Sequence, residues 1–364
     1  MSVSAKSTLL LSGLSTFFTF GAGMAIFGPA LPVYERAFGL TTKTSGLLIS
    51  TLWIGCLIGV LAVFLWGARI TPRIGLAPLA LGFVVLALAP IWPLTLLGAL
   101  IFGVGYGSTA ALFNPRVLLV YGPTGASKLG MLNALFSLGA ILAPFAFAQV
   151  AGHLQPIFWA LAVLAGVTWL VSDKAGLTGV EPGHHARGFR PHLPILTFAA
   201  VAIGIEVSLS GLGPTALIRS GVAEGTAAQL LSLFFVAALS VRIVLILTAH
   251  RFPDFGIFVF AMGTSALSAL GAALISPAFF FPLMGISAGL FFQGVYVTAT
   301  RKMGADPRVS PTILAVGLLG SIVSPLGYAG FMDGLGPHGF FWLVAIVASA
   351  ATLAAVVSYR SMMR

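Results

Sequence analysis

Long apolar runs separated by short polar breaks constrain this chain more tightly than any motif in it. Twelve runs fit, each close to the ~20 residues that cross a hydrocarbon core. They lie at about 8–32, 45–67, 75–92, 94–119, 128–150, 155–172, 194–214, 227–249, 256–275, 279–301, 311–332 and 339–359, to within about 2–4 residues at each end. Of the 364 residues 59% are hydrophobic and 7% charged, whereas a soluble surface carries about a quarter charged residues. The expected fold class is therefore an all-α membrane protein with twelve transmembrane helices. The weakest breaks, near Trp92-Pro93, Gly152-His153 and Ser276-Pro277, leave counts of ten or eleven open.

Charge then sets orientation. The net charge of +10 comes from Lys and Arg scattered between apolar runs, with no basic face interleaved with aromatics, so nucleic acid is not an expected partner. Cytoplasmic loops are rich in Lys and Arg. With the N-terminus inside, fourteen basic residues fall on the cytoplasmic side; Arg36, Lys43 and Arg219 fall outside, and Arg242 lies within a span. Both termini are expected in the cytoplasm. Lys6 ahead of an apolar stretch imitates a secretory signal, but that stretch exceeds the usual 7–15 residue core and reads as the first span. The lone Cys56 excludes an intramolecular disulfide, and neither a metal nor a cofactor is expected.

The chain also repeats itself. Pro32 and Gly39 recur at Pro214 and Gly221, Ser50 at Ser232, Arg69 at Arg251, and Gly103 with Gly107 at Gly285 with Gly289, all offset by 182 residues. Gly139 to Pro144 recurs as Gly320 to Pro325 at an offset of 181. This pattern predicts two parallel six-helix repeats related by an axis along the membrane normal. The halves are placed at 1–173 and 193–364, joined by a cytoplasmic linker at 174–192, the longest polar stretch. Its His184-His185 pair has no third ligand at metal-binding spacing and reads as loop polarity.

The lead functional residue is Glu206. Ala199, Ala202, Glu206, Ser210 and Gly213 fall three or four apart, a narrow small and polar face on an otherwise apolar helix, expected to look inward. A carboxylate near the bilayer centre costs roughly 2.5–3.5 kcal/mol on insertion scales, so it seeks a partner or a wet cavity. Pro144 and Pro325, in equivalent spans, are candidates for bending or gating.

Two parallel six-span repeats around a cytoplasmic linker resemble the major facilitator superfamily over essentially the whole chain. After its second span that superfamily often has a glycine followed by Asp-Arg-x-Gly-Arg. Here Gly67-Ala-Arg69-Ile-Thr-Pro-Arg73-Ile-Gly75 matches at Arg73 and Gly75 and lacks the acid. Ala99 stands where many proton-coupled members have a fourth-span arginine. Gly204-Ile-Glu206-Val-Ser208-Leu-Ser-Gly211-Leu-Gly-Pro214-Thr215 is similar to the seventh span of the fucose-permease-like sugar branch. Leu132-Asn133 and Gly139 are similar to its fifth span, and Arg242 to an arginine in its eighth. That branch's seventh-span tryptophan is absent, and Phe136 replaces a common histidine.

The resemblance implies a central cavity lined by spans one, four, seven and ten and opened alternately by rocking of the halves. Polar or aromatic residues lie near the middle of those spans: Phe27 in one, Tyr106 and Asn114 in four, Glu206 and Ser210 in seven, Gln293 and Tyr296 in ten. These are the candidate solute contacts, with interhelical bonding as the alternative role of each. Asn114 shares a stripe with Gly103, Gly107 and Ala110, and Gln293 one with Gly289, Tyr296 and Thr300; both stripes are expected to face the cavity. Three roles are open to Glu206: proton carrier, direct contact to a cationic or hydroxylated solute, or partner of Arg242. At about 1.5 Å per residue, Glu206 lies about 12 Å below the outer end of its span and Arg242 about 22 Å below the end of its own, a gap that argues against pairing. Arg242 is instead expected to snorkel or to bind helix ends.

An intramembrane enzyme is disfavoured, since no His-Glu-x-x-His pair occurs and His153, His250 and His338 fall at span ends. A channel is disfavoured because no ring of charge or filter-like loop is present. The reading is a secondary active transporter of a small organic solute, sugar-like or drug-like, working by alternating access, with proton coupling through Glu206. An uncoupled facilitator or multidrug efflux carrier is the alternative. Its expected setting is the lipid bilayer of a bacterial inner membrane, as a monomer.

Overall fold

The computed structural model describes residues 3–66, 69–172, 190–248, 251–304 and 308–363. Twelve helices of 17 residues or more run through them. The first six are α1 (Val3–Phe38), α2 (Leu47–Trp66), α3 (Pro72–Leu88), α4 (Trp92–Tyr121), α5 (Gly125–Gln149) and α6 (Gln155–Ser172). The second six are α7 (Leu193–Arg219), α8 (Glu224–Thr248), α9 (Asp254–Leu274), α10 (Pro277–Met303), α11 (Val309–Met332) and α12 (Gly339–Met363). Eleven helical segments among the described residues are long and apolar enough to span a membrane; Pro72–Leu88 is the shorter apolar one.

Each weak break in the sequence becomes a true helix end because a residue there supplies a stop or a start. Gly152 has φ +79° and Ala151 φ 50°, which closes α5 in left-handed backbone. The Ser276 hydroxyl accepts from the Phe279 amide at 3.4 Å, with Pro277 opening α10. Thr71 caps α3 in the same way through the Ile74 amide at 3.3 Å, ahead of Pro72. Internal prolines do not end helices: α7 runs through Pro214 to Arg219, five residues past the expected end at 214.

Backbone contacts divide the chain into two compact units, Met1–Leu40 with Leu47–Pro182, and Thr41–Gly46 with Gly183–Arg364. Within the first, α1 packs on α5, α2 on α4, α3 on α4 and α3 on α6. Within the second, the corresponding pairs are α7 on α11, α8 on α10, α9 on α10 and α9 on α12. Between apolar helices in lipid there is no hydrophobic drive to associate, so small residues that let backbones touch must hold the bundle. The duplicated glycines do this at matching positions. A methyl group on Gly103 would lie 2.1 Å from the Leu52 carbonyl oxygen, and one on Gly285 2.0 Å from that of Phe234. Gly139 meets the Phe18 oxygen at 2.1 Å and Gly320 the Ala200 oxygen at 2.1 Å. Leu52 and Phe234, like Phe18 and Ala200, are themselves 182 apart. The repeat read from sequence is a repeat of helix–helix contacts.

Most of the linker expected at 174–192, including His184 and His185, lies outside the described residues, as do Gly67 and His250.

Candidate functional site

Glu206 sits thirteen residues from Arg219 at the end of α7 and thirteen from Leu193 at its start, the midpoint of the helix. The small residues that share its face serve packing. Ala199, Ala202 and Ser210 are buried, and a methyl on Gly213 would come 2.3 Å from the Phe281 ring of α10. The Ser210 hydroxyl donates to the Val207 carbonyl at 3.1 Å in its own helix. The face looks inward, as its pattern predicts, and is closed by neighbouring helices. Glu206 departs from it, with 27% of its side chain accessible.

Arg242 reaches Glu206, against expectation. Its Nη2 donates to Glu206 Oε1 at 3.3 Å, and its Nε donates to the Gly289 carbonyl at 3.4 Å. The two residues lie closer in depth than the expected span ends allow because α7 continues past Pro214: from the observed ends, Glu206 is thirteen residues from Arg219 and Arg242 eighteen from Glu224. At about 1.5 Å per residue that leaves about 7.5 Å of depth, a distance an extended arginine covers. Gly289 lets α8 approach closely, since a methyl there would meet Val241 Cγ1 at 2.4 Å and the Ala238 oxygen at 2.6 Å. Arg242 therefore joins α7, α8 and α10 instead of snorkelling.

Other expected solute contacts divide by accessibility. Gln293 is exposed on α10. Toward the end of α10 a shallow open groove is lined by Tyr296, Val297, Thr300, Arg301 and Gly304. The Tyr296 hydroxyl donates to Ser310 at 3.0 Å, and its ring stacks on Phe292 at 5.1 Å. In the first unit Tyr106 is half-buried, its ring 4.2 Å from Phe20 and 5.8 Å from Trp53. Asn114 is half-buried, and its buried side-chain oxygen has no hydrogen-bond partner. Phe27 lies in the core: it is 1% exposed and packs edge-on against Phe102 at 5.9 Å. The glycine stripes pack likewise, with Gly103 and Gly107 against α2 and Gly289 against α8.

Among the expected structural residues, the Arg73 guanidinium stands 4.3 Å over the Trp169 ring, tying α3 to α6. Gly75 sits against α4, where a methyl would meet Thr109 Cγ2 at 3.0 Å, and its carbonyl accepts from Ser108 at 3.4 Å. Pro144 and Pro325 are buried inside continuous α5 and α11. Two residues escaped the sequence reading. Trp53 is a buried α2 residue whose indole N–H has no acceptor, and Arg116, read as a cytoplasmic topology signal, is only 2% exposed. No periodicity marked Trp53 in a uniformly apolar helix.

Comparison with known proteins places this geometry. A curated relative, an uncharacterised MFS-type transporter of Yersinia pestis, is 25% identical over 358 residues, covering 89% of this chain and 86% of the relative. Among solved structures, a mutant form of the nucleoside transporter NupG superposes with a TM-score of 0.79 at 13% identity, covering 99% of this chain and 100% of that one. A D-xylose–proton symporter superposes with a TM-score of 0.76 at 13% identity, covering 96% of each chain. At such identities these structures establish the fold. The Major Facilitator Superfamily profile matches residues 13–325, most of the chain, and the protein therefore belongs to that superfamily, as an integral membrane secondary transporter of small solutes and not an enzyme.

Proposed function

We propose that the protein carries a small organic solute, sugar-like or drug-like, across a bacterial inner membrane by alternating access, with Glu206 as the group that solute or proton reaches. One observation carries this reading. At the midpoint of α7 a carboxylate is held by a single 3.3 Å contact to Arg242 while 27% of its side chain stays accessible. An acid at that depth is costly unless it has a partner or meets water, and the single contact to Arg242 leaves part of the carboxylate free to be reached. The named solutes of the structural relatives, a nucleoside and D-xylose, support a small organic molecule as cargo. The distribution of Lys and Arg supports cytoplasmic termini, with residues 174–192 as a cytoplasmic linker between functional halves. The carrier acts as a monomer, and similarity of the Glu206 segment to the fucose-permease-like branch favours a sugar-like solute.

Counterflow tests this. Purified protein in proteoliposomes is preloaded with an unlabelled sugar, nucleoside or drug, and uptake of the same labelled compound is followed. Saturable uptake accelerated by the internal pool identifies a carrier and its solute class. Conductance without counterflow would overturn the reading.

A further inference from the structure

The duplication provides an internal control for the charges of the second unit. Gly289 and Gly107 are equivalent at the offset of 182, and their helix contacts match: a methyl on Gly107 would lie 2.0 Å from the Cys56 oxygen, and one on Gly289 2.6 Å from the Ala238 oxygen. Subtracting 182 from 206 and from 242 leads to Met24 and Val60, both uncharged. The same framework thus packs in the first unit without the ion pair. The pair is an addition to the second unit that packing does not demand.

We propose that Arg242 is a specificity-determining residue: it acts as a tethered cation that neutralises Glu206 and so makes the solute site select uncharged molecules over organic cations. The inference rests on the reading that solute reaches Glu206. Its geometry is that of an exchangeable contact. One nitrogen meets one carboxylate oxygen at 3.3 Å, with 36% of the arginine and 27% of the glutamate side chain accessible. A second guanidinium nitrogen rests on the Gly289 carbonyl at 3.4 Å. An uncharged solute can donate a hydroxyl to the carboxylate and accept from the guanidinium without unbalancing either. A cation must compete with an arginine that never leaves. No other charged side chain compensates at that depth among the described residues of the helices packed on α7. Glu224 lies at the outer end of α8, Arg301 and Lys302 in the last turn of α10, and Arg360 in the last turn of α12. Arg219 and Asp333 bind each other at the far end of α7.

The test uses the full chain in proteoliposomes as wild type, R242Q, R242K and E206Q/R242Q. Probes are a size series of organic cations from tetramethylammonium to tetraphenylphosphonium, with uncharged xylose and uridine, read by uptake and by thermal shift. R242Q is expected to gain at least about tenfold in affinity for one or more cations, because an unpaired carboxylate attracts what a neutral pair rejects. R242K should keep the wild-type preference, and E206Q/R242Q should lose the gain. A folded R242Q with no cation gain overturns the inference, as does a gain that survives in E206Q/R242Q. Should R242Q fail to fold, E206Q alone decides: it leaves Arg242 without its counter-charge and should gain affinity for benzoate, and no gain overturns the inference. Wild-type counterflow is scored separately. Its absence alongside a Glu206-dependent cation gain removes the carrier reading and leaves the charge selection in place.

Discussion

Gly107 approaches Cys56 so closely that a methyl group on it would stand 2.0 Å from the Cys56 carbonyl oxygen. The neighbour is main chain, so no rotamer change relieves the clash, and α4 must move away from α2. G107A should lower thermal stability in detergent by an amount equivalent to about 1–3 kcal/mol, the usual cost of overpacking. Gly166 in α6 provides the control, because a methyl there meets nothing within 4 Å. G166A should be neutral or slightly stabilising, since Ala in a helix gains about 0.5–1 kcal/mol over Gly. Equal effects from the two substitutions would show that close approach at Gly107 does not hold the bundle.

Arg73 over Trp169 makes a second, separable prediction. A guanidinium 4.3 Å from an indole centroid contributes about 0.5–2 kcal/mol, more where water is scarce. W169L should lower the melting temperature, and W169F should retain part of the loss because it keeps a weaker aromatic face. If W169F and W169L are equally damaging, the contact acts through shape and not through charge over the ring.

Spans and repeat were legible in the sequence because they depend on two robust quantities, the length of apolar runs and the positions of glycine and proline. Gly103 and Gly285 mark the repeat by their spacing, whereas the helices they touch, α2 and α8, emerge only in the structure. The site was less legible, for a physical reason. A face of small residues such as Ala199, Ala202 and Gly213 looks the same in sequence whether it borders water or a neighbouring backbone, and here it borders helices. The Glu206–Arg242 pair was hidden by an assumed helix end at Pro214, although a proline in a helix removes one amide donor and need not stop it. Arg116 counts toward topology by its position near a span end, and the burial of its side chain is a packing feature that position alone does not reveal.

Accessibility separates the candidate solute contacts. Ser210 is 5% exposed and its hydroxyl is satisfied by the Val207 carbonyl, so S210A should bind and move solute as the wild type does. Tyr106 is half-buried with its ring 4.2 Å from Phe20, and Y106A should weaken solute affinity about tenfold while the protein stays folded, a loss of about 1.4 kcal/mol. F27A should act differently from both, lowering stability by about 3–5 kcal/mol as a core truncation before any effect on affinity is read. Isothermal binding and thermal unfolding of the three variants resolve these outcomes. A strong affinity loss in S210A with unchanged folding would return that hydroxyl to the solute path.

Proton coupling through Glu206 predicts a specific sign. The charge–charge attraction between Glu206 and Arg242 exists only while the carboxyl is ionised, so acidification through its titration weakens the link between α7 and α8 to a neutral hydrogen bond. In the wild type, an imposed pH gradient should drive accumulation of solute above equilibrium, and the external pH should set the rate. E206Q cannot titrate, yet it keeps an oxygen that can accept from Arg242 Nη2, so folding and insertion should be preserved. Its counterflow, which needs no net proton movement, should continue, while pH-driven accumulation should fall to the level of liposomes without a gradient. E206Q leaves Arg242 without its counter-charge at membrane depth, so thermal unfolding is measured beside transport and has to match the wild type. A large transport effect cannot then be a disguised unfolding. Accumulation in E206Q that still follows the pH gradient would place the proton on another group and leave Glu206 as a binding residue alone.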